Sequence, residues 1–313
     1  MTDLLQDLAW RGLVHDSTDL EQLRQHLAEP RRVYAGFDPS RDSLTIGNLV
    51  PLLLLKRFQL AGHTPVVVMG GGTGLVGDPS GKDSERQLLG PEQVAANVAA
   101  QRPIYENVLS FTGAAAGELR NNLDWLGPLS FLQVLRDTGK HFSVNMMIQK
   151  DSIKSRLETR DQGISYTEFS YMILQAYDYL WLFQNAAVTV QLGGSDQWGN
   201  VVAGIDLVRR VERKEAHGLT VPLVTKSDGG KFGKTEAGAV WLTAKYTSAY
   251  AFYQFWLNTS DADLERYLKI FTFLSRQDIE ALLARHAENP SAREAQRTLA
   301  EAVTSLVHGE RGL

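Results

Sequence analysis

Two lysines share a short glycine-containing segment, Lys231-Phe-Gly-Lys-Thr235, and a glycine opens an apolar helical stretch at Thr45-Ile-Gly-Asn48. Helix N-termini present free N–H groups and partial positive charge. Lysines neutralise charge that gathers on phosphates in a transition state. A glycine turn at a helix start, combined with a two-lysine loop, is therefore one way to hold a nucleoside triphosphate. The wider segment Lys226-Ser-Asp-Gly-Gly-Lys-Phe-Gly-Lys-Thr235 also fits a surface turn, with Asp228-Gly229 as the bend.

Two other segments share one plan, an apolar strand running into glycines. Thr64-Pro-Val-Val-Val-Met69 leads into Gly70-Gly-Gly-Thr-Gly-Leu-Val-Gly-Asp78. This run has neither the GK[ST] closure of a Walker A loop nor GxGxxG spacing. It fits a plain flexible loop, or a place where a ligand approaches the backbone closely, with Asp78 positioned to meet an ammonium group. Val188-Thr-Val-Gln-Leu192 leads into Gly193-Gly194 and then Ser195, Asp196 and Gln197. Ser195 and Asp196 suit a helix N-cap. Gln191, Asp196 and Gln197 also bring polar function to one strand end, where Asp196 suits a ribose diol. On the helical stretch Tyr166 to Trp181, Tyr171, Gln175 and Asp178 fall at spacings of four and three, hence on one face. That face is either a solvated stripe or the wall of a pocket that reads a small amino acid.

The elements that must carry these residues follow from periodicity. Residues 3–28 read as helical, and Arg32-Val-Tyr-Ala-Gly-Phe37 as a strand that turns at Asp38-Pro39. Leu49 to Leu60 is a helix with Pro51 in its first turn. Thr64 to Met69 is apolar throughout, as in a buried parallel strand. Helix-rich stretches span 92–112 and 130–159, with a short strand at Asn121-Asn-Leu-Asp-Trp-Leu126 between them. Gln197 to Glu212 reads as a long helix, and from Thr247 the pattern is helical and amphipathic. Strand, helix, strand and glycine loop together predict a doubly wound parallel α/β sheet of Rossmann-like type, with ligands at the carboxyl ends of its strands. The expected division is an α/β unit over 1–222, a lysine-bearing linker over 223–246 and an α-helical domain over 247–313.

Composition narrows the function classes. The 313 residues suffice for a large core. A net charge of -4 speaks against a generally basic nucleic-acid coat while allowing a local patch. With no cysteine, disulfides, thiolate metal sites and a cysteine nucleophile are excluded. The seven histidines form no HxH or HExxH spacing, so no metal site is expected. No basic-then-apolar leader opens the chain and no apolar run is long enough for a span, so a cytoplasmic protein outside the membrane is expected.

Several motifs, in this order, carry a resemblance. Gly36-Phe-Asp-Pro39, Gly72-Thr-Gly-Leu-Val-Gly-Asp-Pro-Ser80, Gly139-Lys-His-Phe-Ser-Val-Asn145, Tyr166-Thr-Glu-Phe-Ser-Tyr171, Gln191-Leu-Gly-Gly-Ser-Asp-Gln-Trp-Gly-Asn200 and Lys231-Phe-Gly-Lys-Thr235 resemble those of bacterial tyrosyl-tRNA synthetases. Thr45 to Asn48 and Lys231 to Thr235 resemble the HIGH and KMSKS signatures of class I aminoacyl-tRNA synthetases. The resemblance runs from about residue 3 to the end. It implies a homodimer that activates L-tyrosine with ATP and passes the tyrosyl group to tRNA(Tyr). It further implies that Tyr34 and Asp178 bind the substrate phenol, and that Asp78, Tyr171 and Gln175 hold its ammonium group, with Gln191 in the same tyrosine site. Gly36, Asp38, Ser40, Gly47, Gly194, Asp196 and Gln197 would line the ATP and adenylate site. Thr45, Asn48, Lys82, Arg86, Lys231 and Lys234 would serve the activation step, with Mg²⁺ beside the leaving pyrophosphate.

The chain departs from the family's pattern in three places. Thr45 and Asn48 stand where HIGH has histidines, though Gly47 remains. Where the family histidine binds outer phosphates, its loss is expected to cost ~1.5–3 kcal/mol, or roughly one to two orders of magnitude in rate. Ala35 stands where the family often has cysteine. Family members also continue past the point matching Leu313 into a small RNA-binding domain. The expectation is therefore a catalytic region that forms tyrosyl-adenylate and charges tRNA weakly. Two alternatives are a catalytically impaired paralogue that binds tyrosine or its adenylate, suggested by Thr45, and a related enzyme for tryptophan, against which Tyr34 and Asp178 argue.

Overall fold

The computed structural model describes residues 3–78, 88–150, 153–154, 157, 164–230, 232–235 and 238–313. Among them, α1 (Leu4–Trp10) and α2 (Leu20–His26) replace the single helix expected over 3–28. Asp3 and Asp19 each accept two backbone N–H bonds as N-caps. Gly12, at φ 70°, follows the end of α1. The residues between the helices then pair in an extended form: His15 N–H bonds to the Thr220 carbonyl, Thr18 N–H to Gly218, and Thr220 N–H to Asp16. This segment covers an edge strand that would otherwise be open.

The sheet begins with β1 (Arg32–Phe37), followed by α3 (Ile46–Leu60), β2 (Thr64–Met69), α4 (Pro91–Val108) and β3 (Glu118–Asn121). After short helical turns between 123 and 148 come α5 (Tyr166–Ala186), β4 (Val188–Gly194), α6 (Trp198–Glu212) and β5 (His217–Val221). All five strands run parallel in the order β3-β2-β1-β4-β5. The chain builds outward from β1 to β3, then returns to place β4 on the other side of β1. That reversal opens a crevice beyond the carboxyl ends of β1 and β4, where doubly wound sheets bind ligands.

Strand alternation sends side chains to two faces. Val33, Ala35, Phe37, Val67 and Met69 join one apolar cluster, while Tyr34, Val66 and Val68 join the other with α5 and α6. The first cluster continues without interruption into the C-terminal helices α7 (Ala249–Leu257), α8 (Asp261–Phe271), α9 (Arg276–Glu288) and α10 (Glu294–His308), which follow the small hairpin of Lys234–Thr235 and Gly238–Ala239. Buried Arg57 on α3 adds a polar tie: its Nη2 donates to the carbonyls of Lys269, Ile270 and Thr272 at 3.1, 3.1 and 2.7 Å. Arg11 donates to Lys269, Thr272 and Leu274 carbonyls beside it. Two cations thus satisfy the C-terminal carbonyls of α8. Burial, and then the neighbouring Arg11, pushes Arg57 down to about 9.

Several expected boundaries moved. α3 starts at Ile46, not Leu49, because Thr45 and Asn48 close its first turn. The expected strand at Asn121–Leu126 is instead the end of β3 and a helical turn, Leu123–Leu126, whose first N–H is taken by the Asn121 side chain. The stretch 130–150 is broken into short turns, and part of 151–163 lies outside the described residues. β5 was not anticipated. Among the described residues, no helix is long and apolar enough to cross a membrane.

Candidate active site

A cavity of about 910 Å³ occupies the crevice beyond β1 and β4. Its lining includes Tyr34, Gly36, Asp38, Ser40, Thr45, Gly47, Asn48, Asp78, Tyr171, Gln175, Asp178, Gln191, Gly194, Asp196 and Gln197, all selected from the sequence. Lys234 is exposed on the hairpin and is not part of that lining. Lys82, Arg86 and Lys231 lie outside the described residues.

The deep end is built around Asp178 on α5. Its carboxylate accepts from Trp125 Nε1 at 2.7 Å and from Asn122 Nδ2 at 2.9 Å. Trp125 is itself stacked on Trp181, ring centroids 4.3 Å apart. Burial pushes Asp178 up to about 7, against the two hydrogen bonds that favour its charge. In the same cavity, the Tyr34 hydroxyl and Gln191 Oε1 are buried and have no hydrogen-bond partner among the described residues. Burial, then the charge of Asp178, raises Tyr34 well above the usual phenol range. Buried polar atoms are normally paired, so a deep pocket with an acceptor carboxylate, an idle hydroxyl and an idle amide oxygen is built for a polar guest.

The middle of the cavity is a carboxylate network. Asp38 accepts from Tyr171 Oη at 3.0 Å and Thr73 Oγ1 at 2.8 Å. Gly70 makes this possible, since a Cβ there would fall 2.3 Å from Asp38 Oδ1. Burial leads the upward shift of Tyr171, with Asp38 and Asp78 adding to it. Asp78 accepts from Gln197 Nε2 at 2.7 Å, and Gln197 Oε1 in turn accepts from Gln175 at 3.3 Å and Asn200 at 3.2 Å. Asp196 makes no capping bond at α6; although it is exposed, partial desolvation by the surrounding protein raises its carboxyl. Gly194 lets it turn inward, because a Cβ there would sit 2.6 Å from Asp196 Oδ1.

The mouth brings together the two segments that opened the sequence reading. Thr45 N–H and Thr45 Oγ1 both bond to Asn48 Oδ1, at 3.1 and 2.9 Å. Ile46 N–H donates to the Val240 carbonyl and Leu242 N–H to Leu44, so residues 44–46 pair with the strand leaving the lysine loop. Gly233, at φ 72°, would place a Cβ 2.4 Å from Ile46 Cγ2. Phe232 anchors the loop among Phe255, Trp256, Tyr267 and Phe271.

Residues that the sequence did not single out complete the site. Asn122 and Trp125 were hidden inside a misassigned strand, and Thr73 inside the glycine run. Asn200 lay within a recognised motif without a role of its own. Arg41 and Trp241 had no motif to mark them.

The sequence profile of the family described as tRNA synthetases class I (W and Y) matches residues 26–313. The tyrosine–tRNA ligase of Bacillus caldotenax is 55% identical over 314 residues, covering 99% of this chain and 74% of that protein. The chain belongs to the tyrosine–tRNA ligase family. Roseiflexus castenholzii has a member of this family with 55% identity, covering 100% of the chain and 74% of its own length. Among solved structures, the C-terminally truncated mitochondrial tyrosyl-tRNA synthetase of Aspergillus nidulans is 30% identical with a TM-score of 0.90, covering 100% and 91% of the two chains. A tryptophanyl-tRNA synthetase from Encephalitozoon cuniculi shares the fold, with a TM-score of 0.70 at 15% identity.

Proposed function

We infer that this chain activates L-tyrosine with ATP to tyrosyl-adenylate and pyrophosphate, and transfers the tyrosyl group to tRNA(Tyr). The observation that carries this is the deep pocket: Asp178 held by two donors, with an unpartnered Tyr34 hydroxyl facing the same space. A substrate phenol donates to Asp178 and accepts from Tyr34. A phenyl ring would leave the Tyr34 hydroxyl unpaired and offer Asp178 no further donor, which is why such sites reject phenylalanine, a rule for which tyrosyl-tRNA synthetases are themselves a standing example.

In this reading Asp78, Tyr171, Gln175 and Gln191 take the amino-acid end of tyrosine. Gly36, Asp38, Ser40, Gly47, Gly194, Asp196 and Gln197 hold the nucleotide, and the Thr45–Asn48 pair stands at the start of α3, where N–H groups favour phosphate. The tyrosine carboxylate oxygen bonds to the α-phosphorus as the bond to the β-phosphate oxygen breaks, and the electron pair leaves with pyrophosphate. No side chain needs to act as nucleophile; the protein positions the reactants and stabilises charge. Lys82, Arg86, Lys231 and Lys234 serve the leaving group. Mg²⁺ bound with the nucleotide would supply charge neutralisation at the phosphates. The catalytic unit comprises 1–222, with 223–246 as the lysine-bearing connection and 247–313 as the helical unit.

A homodimer belongs to the same reading. Phe131, Leu132, Val144 and Met146 are 54–76% exposed within one short stretch, an apolar surface suited to a second copy. A cytoplasmic location fits the tRNA substrate. Calorimetric titration without ATP tests the pocket: tyrosine binds and phenylalanine does not. Equal binding of both would overturn the assignment.

A further inference from the structure

The described lining of the cavity has a charge imbalance. It carries the carboxylates Asp38, Asp78, Asp178 and Asp196, and one cation, Arg41. Arg41 is fixed at its backbone by a hydrogen bond and at its head by an aromatic ring. Its carbonyl accepts from Gln101 Nε2 at 2.8 Å, whereas its side chain is exposed. The acid beside it, Asp42, is occupied by Lys245 and Tyr246, so it does not neutralise the guanidinium. Among the described residues Arg41 has no carboxylate partner. The group instead lies over the Trp241 ring, 5.6 Å from its centroid. Trp241 bridges to Thr45. The guanidinium thereby rests on a residue of the strand that leaves the lysine loop, which bridges to the start of α3.

We propose that Arg41 contacts the β- and γ-phosphates of ATP and the departing pyrophosphate, supplying at the cavity mouth the charge that Thr45 lacks. This rests on the tyrosine-activation reading above. Guanidinium keeps its proton at all working pH values and presents a fork of donors that matches phosphate oxygens. Stacking on Trp241 holds the cation in place before the nucleotide arrives. As the bond from the α-phosphorus to the bridging oxygen breaks, negative charge moves onto pyrophosphate, and a nearby cation lowers the energy of that state more than that of bound ATP. No proton transfer is involved.

The test compares wild type, Arg41→Ala, Arg41→Lys and Arg41→Ala with Thr45→His. Tyrosine-dependent ATP–pyrophosphate exchange gives KM values for ATP, pyrophosphate and tyrosine, and calorimetry gives binding of pyrophosphate, AMP and tyrosine. Arg41→Ala is expected to lower kcat/KM for ATP and pyrophosphate ~10- to 100-fold while AMP and tyrosine bind as in wild type. Arg41→Lys recovers part of the loss, and the histidine in Arg41→Ala with Thr45→His recovers part as a replacement donor to phosphate. Wild-type ATP and pyrophosphate parameters in Arg41→Ala would overturn the proposal. So would a uniform weakening of pyrophosphate, AMP and tyrosine with a lowered Tm, which marks a scaffold role through Trp241. A wild type without exchange counts against tyrosine activation itself, and pyrophosphate titration of wild type against Arg41→Ala still decides the role of Arg41.

Discussion

Replacing Asp178 with alanine separates the pocket from the fold around it. In the protein, Trp125 Nε1 and Asn122 Nδ2 both give their hydrogen to this carboxylate. Each buried donor left without an acceptor costs about 1–3 kcal/mol. Deleting the acid also removes a costly buried charge, as its shift to about 7 records. The opposing effects leave an expected net destabilisation of about 1–3 kcal/mol. The substrate loses more selectively. A phenol bonded to a charged acceptor is worth ~1.5–3 kcal/mol, so tyrosine affinity should fall ~10- to 100-fold. Phenylalanine loses no bond, and discrimination between the two should narrow by a similar factor. Exchange kinetics with each amino acid, alongside urea denaturation, read both effects. Unchanged discrimination with near-wild-type tyrosine affinity would refute the assigned pocket.

Four further outcomes follow from the geometry. Asp178→Asn should alter the pH dependence of stability in the free protein: the native carboxyl titrates near 7 and the unfolded one near 3.8, so the folded state binds the extra proton between them. Wild type should therefore lose stability relative to this variant as pH rises through that window, and parallel pH–stability curves would contradict it. His26 has the opposite sign, because burial and then His217 hold it down at about 4 against 6.5 unfolded. Stability should be lost as pH falls from 6.5 towards 4, less so in His26→Gln, and an equal slope in both by urea denaturation would refute this. Gly70→Ala should weaken ATP binding, since the new methyl meets Asp38 and Thr73; unchanged ATP affinity by calorimetry would count against it. Arg57→Ala should cost about 1–3 kcal/mol by taking the guanidinium from the Ile270 carbonyl and leaving those of Lys269 and Thr272 to Arg11 alone, and a wild-type Tm would contradict that tie.

What was legible in the sequence is what local chemistry determines. β1, β2 and β4 were readable because apolar runs end in glycine or a turn, and the glycines mark where side chains would collide, as Gly70 and Gly194 do. Tyr171, Gln175 and Asp178 were readable because helical spacing puts them on one face. Asn122 and Trp125 were not, because their value lies in a contact with Asp178 more than fifty residues away. β5 was missed because its five buried residues contain a glycine and a histidine, and parallel pairing with β4 outweighs its weak local pattern. The expected helix over 3–28 failed for a similar reason: its middle covers the edge of β5. The seam between 44–46 and 240–242 is likewise invisible to periodicity, although Thr45 on one side of it had been marked for phosphate chemistry.

Tyrosine-dependent ATP–pyrophosphate exchange, with phenylalanine and tryptophan as controls, decides whether this chain activates tyrosine. Exchange with tyrosine alone is the result this account predicts, with Thr45 and Asn48 tolerated at the start of α3. Absent exchange with tyrosine binding retained would make this a binding paralogue, and exchange with phenylalanine or tryptophan at comparable rates would remove Asp178 and Tyr34 from their assigned role.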